Sequence, residues 1–409
     1  MRVGIFTETY TPYISGLVTS EIMLKKALEK LGHEVYVVTA NLESFHYDYD
    51  EKERVLKIPG IPTGIYDSRL TAIYPIRAVN IIKGWNLDII HSQTEFAIGT
   101  FARIFAKQFD IPLVHTYHTI YEDYVHYITH GYFNKSSKKL AEYFSLFYCD
   151  KTATELIVPS EKIYRLFKDK YKVERNIHIV PTCIETERFW KENIDSKKLA
   201  QLKKKYNLTK KDFVYLFVGR LAEEKNVEFL LEVTKDLVKK YSNFKFMIIG
   251  DGPDMDKYQK YSKENHLENN IIFTGKVPWD EIPVYYQLCQ VFVTASVTET
   301  QGLTVVEALA ASIPVVCVDD ASFHNVVIPD LNGQLFKTKK QCKEYLIDLY
   351  EHPAKRKHMA LQARISSDRY GLKYYGEAIL DVYRNAIKTK KESKGFFEKM
   401  WDRFKGEEK

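Results

Sequence analysis

Two glutamates, Glu299 and Glu307, stand either side of seven residues within Val291–Val316, VFVTASVTETQGLTVVEALAASIPVV. The stretch opens as a short apolar strand, Val291–Val293, and runs into a polar loop that holds Glu299. Gly302 precedes a helical run, Leu303–Ala311, and Pro314–Val318 reads as another buried strand. Eight positions along a helix span roughly 12 Å, about the reach from a donor sugar to the ribose of its nucleotide. A helix N-terminus lies between the carboxylates, and its free N–H groups and positive dipole end suit a phosphate. The segment therefore has fittings for a sugar, a phosphate and a ribose in line. The bland alternative is a strand–loop–helix unit with two solvated glutamates.

Other candidates sit where strands end. His118 follows the strand Pro112–Thr116. Gly16 closes the loop Thr7–Gly16 after the strand Arg2–Phe6. Gly219-Arg220-Leu221 follows the strand Phe213–Val218, with Lys225 a few residues on. Gly250-Asp251-Gly252-Pro253 ends the strand Phe244–Ile249, and Gly275-Lys276 ends Ile271–Thr274. In open α/β sheets ligands bind at the carboxyl ends of strands. Asp48-Tyr49-Asp50 looks like a metal-binding Asp-x-Asp, but it reads as a polar loop with no strand before it. The aromatic and His-rich Tyr121–His130 fits no metal spacing. No metal site is expected.

The chain has 409 residues, is 45% hydrophobic and 28% charged, and carries a net charge of +6. That length suggests two or three domains of a globular protein. Five cysteines, odd in number and without a Cys-x-x-Cys pair, read as reduced thiols of a cytoplasmic protein. No apolar run approaches the roughly 18 residues of a spanning helix, and the N-terminus does not read as a signal peptide. No nucleic-acid partner is expected.

The elements that must position these residues alternate. Strand, loop and helix (Leu17–Leu31, ended by Gly32) lead to the strand Glu34–Thr39. Asp88–His91, Phe96–Phe109 and Pro112–Thr116 continue the pattern, and Leu156–Val158 and Ile177–Val180 flank a helix around Glu161–Phe167. A charged join, Arg188–Lys211, follows, and the pattern restarts at Phe213. Two successive halves of this kind argue for two doubly wound domains facing a cleft. The expected boundaries are 1–187, 188–372 and a terminal helix with tail, 373–409.

Three stretches combine basic and aromatic residues. Val55–Trp85 carries Arg69 and Arg77 among prolines, tyrosines and aliphatics. It reads either as a loop plus a core helix or as an acceptor or membrane surface. Lys138 and Lys139 precede a helix with Leu140, Tyr143, Phe144, Phe147 and Tyr148 on one face. In the tail, Phe396, Phe397, Met400, Trp401 and Phe404 recur at helical spacing among lysines. Such a helix suits an anionic membrane surface; packing on the protein itself is the alternative.

Taken together, these motifs resemble glycosyltransferases of family four, over nearly the whole chain and in order. The pieces are Ser15-Gly16, His118, Val218-Gly219-Arg220-Leu221 with Lys225-Asn226, Gly250-Asp251-Gly252-Pro253 and the Glu-seven-Glu segment. The resemblance implies the GT-B fold, two Rossmann-like domains, with a nucleotide-sugar donor on the C-terminal one and an acceptor on the N-terminal one. It implies that Arg220 and Lys225 hold the diphosphate, Glu299 the donor sugar and Glu307 the ribose. His118 would lie against the sugar or its phosphate, and Gly16 would let its loop approach the diphosphate. Asp251, Thr274, Gly275, Gly302, Leu303 and Thr304 would line the donor site. Retention of anomeric configuration without a metal or other cofactor is also implied. The wording Thr298–Thr304 is similar to bacterial diacylglycerol glucosyltransferases. It points to UDP-glucose as donor, diacylglycerol as acceptor and a peripheral position on the cytoplasmic face of the cell membrane. Another lipid, a cell-wall glycan, or epimerase chemistry on the same fold stay open. The chain departs from the family at Cys183 and Ser312, where glycine is usual. If the backbone there needs positive φ, both are strained.

Overall fold

Alternating apolar residues build two parallel sheets, one in each of two units. The computed structural model describes residues 1–13, 16–62, 69–118, 142–143 and 145–406, with side chains as far as residue 393. One unit comprises Met1–Cys183 with Leu372–Lys409; the other is Ile184–Gly371.

The first unit's strands are β1 (Arg2–Phe6), β2 (Glu34–Asn41), β3 (Asp48–Asp50), β4 (Val55–Pro62), β5 (Arg69–Thr71), β6 (Ile89–Ser92), β7 (Leu113–Thr116), β8 (Glu155–Val158) and β9 (Ile177–Ile179). Their order is β3-β4-β2-β1-β6-β7-β8-β9, with β5 beside β4. All neighbours run parallel except β3 and β5, which pair antiparallel with β4. Successive residues serve opposite faces of the sheet. Val3 and Ile5 meet Leu24 and Leu28 of the helix Gly16–Lys30, whereas Phe6 and Ile90 meet Phe101 and Phe105 of the helix Ala97–Gln108.

The second unit holds β10 (Phe213–Val218), β11 (Phe244–Ile249), β12 (Ile271–Gly275), β13 (Val291–Thr294), β14 (Val315–Val318) and β15 (Gly333–Phe336), in the order β12-β11-β10-β13-β14-β15. Every pair is parallel. Val214 and Leu216 face one core, Tyr215 and Phe217 the other. Burial on both faces is why these strands read as continuous apolar runs.

Three sequence expectations change. The terminal piece starts as one long helix that is grouped with the first unit rather than standing third. The helix Leu372–Gly406 belongs to the first unit, and Tyr375, Ile379 and Tyr383 bury beside Leu24 and Leu28 because its apolar face needs cover. Tyr383 also meets His91 Nδ1 at 2.7 Å, 292 residues away. Asp48–Asp50 is an edge strand rather than a loop. Within Val55–Trp85, β4 and β5 form an antiparallel ladder and a helix follows at Ile76–Lys83. The two departures from family glycines also separate. Ser312 has φ 61°, a left-handed conformation, whereas Cys183 is not among the positive-φ residues and is wholly buried.

Candidate functional site

The second unit's strand order places a reversal between β10 and β13. From β10 the chain winds outward to β11 and β12, then returns to β13 on the other side. The crevice at the carboxyl ends of two such strands is where this architecture binds nucleotides. Arg220 follows β10 and is exposed. Lys225 ends a short turn, Glu223–Lys225, and Asn226 at φ 51° turns the chain into the helix Val227–Val238. Glu299 comes from the loop after β13. Lys225 Nζ lies 2.6 Å from Glu299 Oε1, a charged hydrogen bond across the reversal.

A depression of about 590 Å³ at the ends of β10, β11 and β12 is lined by Gly219, Arg220, Gly250, Asp251, Lys276 and Val277, among others. Gly250 at φ 137° is required there, since a Cβ would come within 1.8 Å of Gly219 O. The Asp251 carboxylate accepts from Gly252 N at 2.7 Å. Thr274 donates to Ile248 O at 3.3 Å, and Gly275 O accepts from Gly250 N at 3.1 Å, so these two hold the rim of the site through the backbone.

Gly302 caps the helix Leu303–Ala310 at φ 78°, where a Cβ would meet Phe323 at 2.5 Å. No side chain caps this end, so the N–H groups of the first turn, at Leu303 and Thr304, suit an anion. Glu307 lies one turn on. Tyr286 donates to its Oε2 at 2.8 Å. Burial raises the Glu307 carboxyl to about 7, against the Tyr286 hydrogen bond and the Arg188 charge, which lower it. The spacing of the two glutamates did not signal either neighbour.

The first unit reverses between β1 and β6, and a buried polar group collects at their ends. His118, just past β7, is 2.7 Å from Gln93 Oε1. An amide oxygen only accepts, so His118 Nε2 carries the proton and Nδ1 is left as an acceptor. Burial lowers the imidazole to about 4, which favours the neutral ring. Glu8 accepts from Ile98 N at 2.6 Å at the start of the helix Ala97–Gln108, and burial raises it to about 7. Glu21, wholly buried, bonds Thr7, and burial pushes its acid well above the usual range. Sequence reasoning missed Glu8, Glu21 and Gln93, because an isolated polar residue in an apolar segment carries no spacing signal. Gly16 begins its helix with open space around the Cβ position, so its unit sets no steric demand for glycine.

Arg69 and Arg77 stack over Phe45 and Tyr47, with guanidinium-to-centroid distances of 4.7 and 5.0 Å. Beside them Ile61 and Ile76 are each 71% exposed, and Leu70, Ile73 and Phe45 are exposed as well. The β4–β5 ladder thus presents apolar side chains with arginines among them. Lys138 and Lys139 lie outside the described residues. Phe396, Phe397 and Trp401 fall on the helix Leu372–Gly406, beyond the described side chains. No helix among the described residues is long and apolar enough to cross a membrane.

Fold and site together define a GT-B glycosyltransferase. Residues 14–188 match Glycosyltransferase Family 4 and residues 200–366 match Glycosyl transferases group 1. The chain belongs to glycosyltransferase family four and is a hexosyltransferase. It is 36% identical over 393 residues to an alpha-monoglucosyldiacylglycerol synthase of Acholeplasma laidlawii, covering 95% of this chain and 98% of that one. A protein of the same description from Streptococcus pneumoniae is 32% identical over 389 residues, 93% of this chain and 86% of that one. Among solved structures, Anabaena HepE in complex with UDP matches in fold with a TM-score of 0.71 at 17% identity, over 94% of this chain and 100% of that one.

Proposed function

We propose that the protein transfers glucose from UDP-glucose to the free hydroxyl of diacylglycerol at an anionic membrane surface, with retention of the α configuration. The observation that carries this reading is the similarity, along nearly the whole chain, to two alpha-monoglucosyldiacylglycerol synthases. The acceptor oxygen bonds to the anomeric carbon as the bond to the β-phosphate oxygen breaks. The acceptor attacks from the face that the phosphate leaves, and its proton passes to the departing phosphate. Arg220, Lys225 and the helix N-terminus at Leu303 and Thr304 stabilise the charge that UDP develops. These groups supply positive charge without a metal ion.

Glu299 binds a sugar hydroxyl and holds Lys225 toward the phosphates. Glu307 accepts from the ribose hydroxyls. Asp251, Thr274, Gly275 and Gly302 shape the donor site, and Gly16 admits the diphosphate to its loop. His118, being neutral, contributes hydrogen bonds to the sugar. Arg69 and Arg77, with Ile61, Leu70 and Ile76, form the membrane contact, joined by Lys138, Lys139, Phe396, Phe397 and Trp401. The protein is peripheral on the cytoplasmic face. Diacylglycerol is neutral, so the cations serve anionic neighbours in the leaflet.

Incubation of labelled UDP-sugars with mixed-lipid vesicles containing diacylglycerol tests this. An α-linked monoglucosyl lipid by thin-layer analysis and NMR is the expected product. A β-linked product, or no lipid product with any UDP-sugar, overturns it. Activity without lipid points to a glycan acceptor, and UDP release without a glycosylated product to an epimerase.

A further inference from the structure

We propose that Tyr286 is a positioning residue of the donor site: its hydroxyl aims the Glu307 carboxylate and rearranges its own proton when that carboxylate changes charge. The inference rests on Glu307 as the ribose acceptor and deepens that reading.

Tyr286 ends the helix Ile282–Tyr286 and is wholly buried. Phe189 meets its ring edge-on at 5.5 Å and Phe292 stacks on it at 6.1 Å. A ring packed on two sides holds its hydroxyl in one place. That place is 2.8 Å from Glu307 Oε2 and 3.1 Å from Thr304 O. A phenol has one proton, and here it has two acceptors. With Glu307 ionised, the proton goes to the carboxylate, the stronger charge-assisted bond. With Glu307 protonated, the carboxyl donates to the phenol oxygen and the phenol proton turns to Thr304 O. Both states leave the buried groups satisfied. In both, Tyr286 occupies Oε2, which directs Oε1 to a ligand hydroxyl.

The charges around the pair are few. Arg188, in the turn Thr186–Phe189, acts on Glu307 and lies 3.5 Å over the Trp279 ring. Glu185 and Asp280 face Arg188 in turn. Cys289 faces Tyr286, and burial keeps its thiol neutral. The Tyr286 hydroxyl and Arg188 favour the Glu307 anion against burial. Ribose hydroxyls donate best to that anion, so donor binding strengthens as Glu307 ionises, and Tyr286 sets where it does.

Calorimetry with UDP across pH 5.5–8.5 tests this on the full chain, alongside donor kinetics. Tyr286→Phe keeps the ring and removes the bond. It should weaken UDP binding and raise donor KM about tenfold, leave kcat within about twofold, and move the pH midpoint of binding upward. Glu307→Gln, which cannot ionise, should lose the midpoint. In the Tyr286→Phe/Glu307→Ala pair, the tyrosine change should add nothing to the loss from Glu307→Ala alone. If Tyr286→Phe matches the parent in affinity and midpoint while Glu307→Ala weakens binding, the positioning role is overturned and the ribose reading stands. If Glu307→Ala leaves UDP affinity unchanged, the ribose reading itself fails and the inference goes with it.

Discussion

Lys225 Nζ lies 2.6 Å from Glu299 Oε1, although 74 residues separate the two in the chain. Both side chains are at least three-quarters shielded from solvent, which strengthens their attraction over that of a surface pair. β10 and β13 are neighbours in the sheet, and the loops that leave them bring the two groups together. An ammonium held this way is ordered before a phosphate arrives. Lys225→Ala and Arg220→Ala should each lower kcat/KM by on the order of 10²-fold or more, as loss of a transition-state charge contact does. Steady-state kinetics with UDP-glucose and vesicular acceptor measures this, and a change confined to KM would assign the cations to ground-state binding instead.

Glu21 should behave as a neutral acid. Burial holds its folded pKa well above the ordinary value of about 4.5. The folded state therefore holds a proton that the unfolded chain releases, and stability falls as pH rises from about 4.5 toward the folded pKa. Glu21→Gln keeps a neutral oxygen that accepts from Thr7 and removes this linkage. The melting-temperature difference between variant and parent should move in the variant's favour between about pH 5 and pH 8. A constant difference would mean that Glu21 is ionised in the fold.

Ser312 and Cys183 should respond oppositely to glycine. Ser312 at φ 61° carries the left-handed penalty, so Ser312→Gly should be neutral to about 1 kcal/mol stabilising. Cys183 fills a core position and is not among the positive-φ residues, so Cys183→Gly should cost about 1–2 kcal/mol. Urea unfolding of the two variants decides the matter.

Membrane contact should divide between the β4–β5 ladder and the terminal helix. Each large apolar side chain entering the headgroup boundary contributes roughly 1.5–3 kcal/mol at most, and each nearby cation about 1 kcal/mol, weakened by salt. Ile61→Ser/Leu70→Ser, and a chain ending at Lys391, should each sediment less with phosphatidylglycerol vesicles, more so in high salt. Unchanged sedimentation of the shortened chain would assign the tail to packing on the protein.

The local pieces are legible along the chain alone. Short, mostly apolar runs of three to six residues, each closed by glycine or a polar loop, marked β10, β11, β12 and β13 and the ends from which Arg220, Asp251, Gly275 and Glu299 emerge. That was legible because strand burial and turn conformation are written in neighbouring residues. Which ends meet depends on packing between distant parts of the chain. Strand order brought Lys225 to Glu299, and packing against Phe189 and Phe292 fixed Tyr286 beside Glu307. His91 found Tyr383 from 292 residues away in the chain, past the whole second unit, and the terminal helix is part of the first unit's core. The neutral state of His118 and the raised carboxyls of Glu8, Glu21 and Glu307 follow from burial. Burial of a single polar side chain depends on everything packed around it, and a periodic pattern along one chain does not record that.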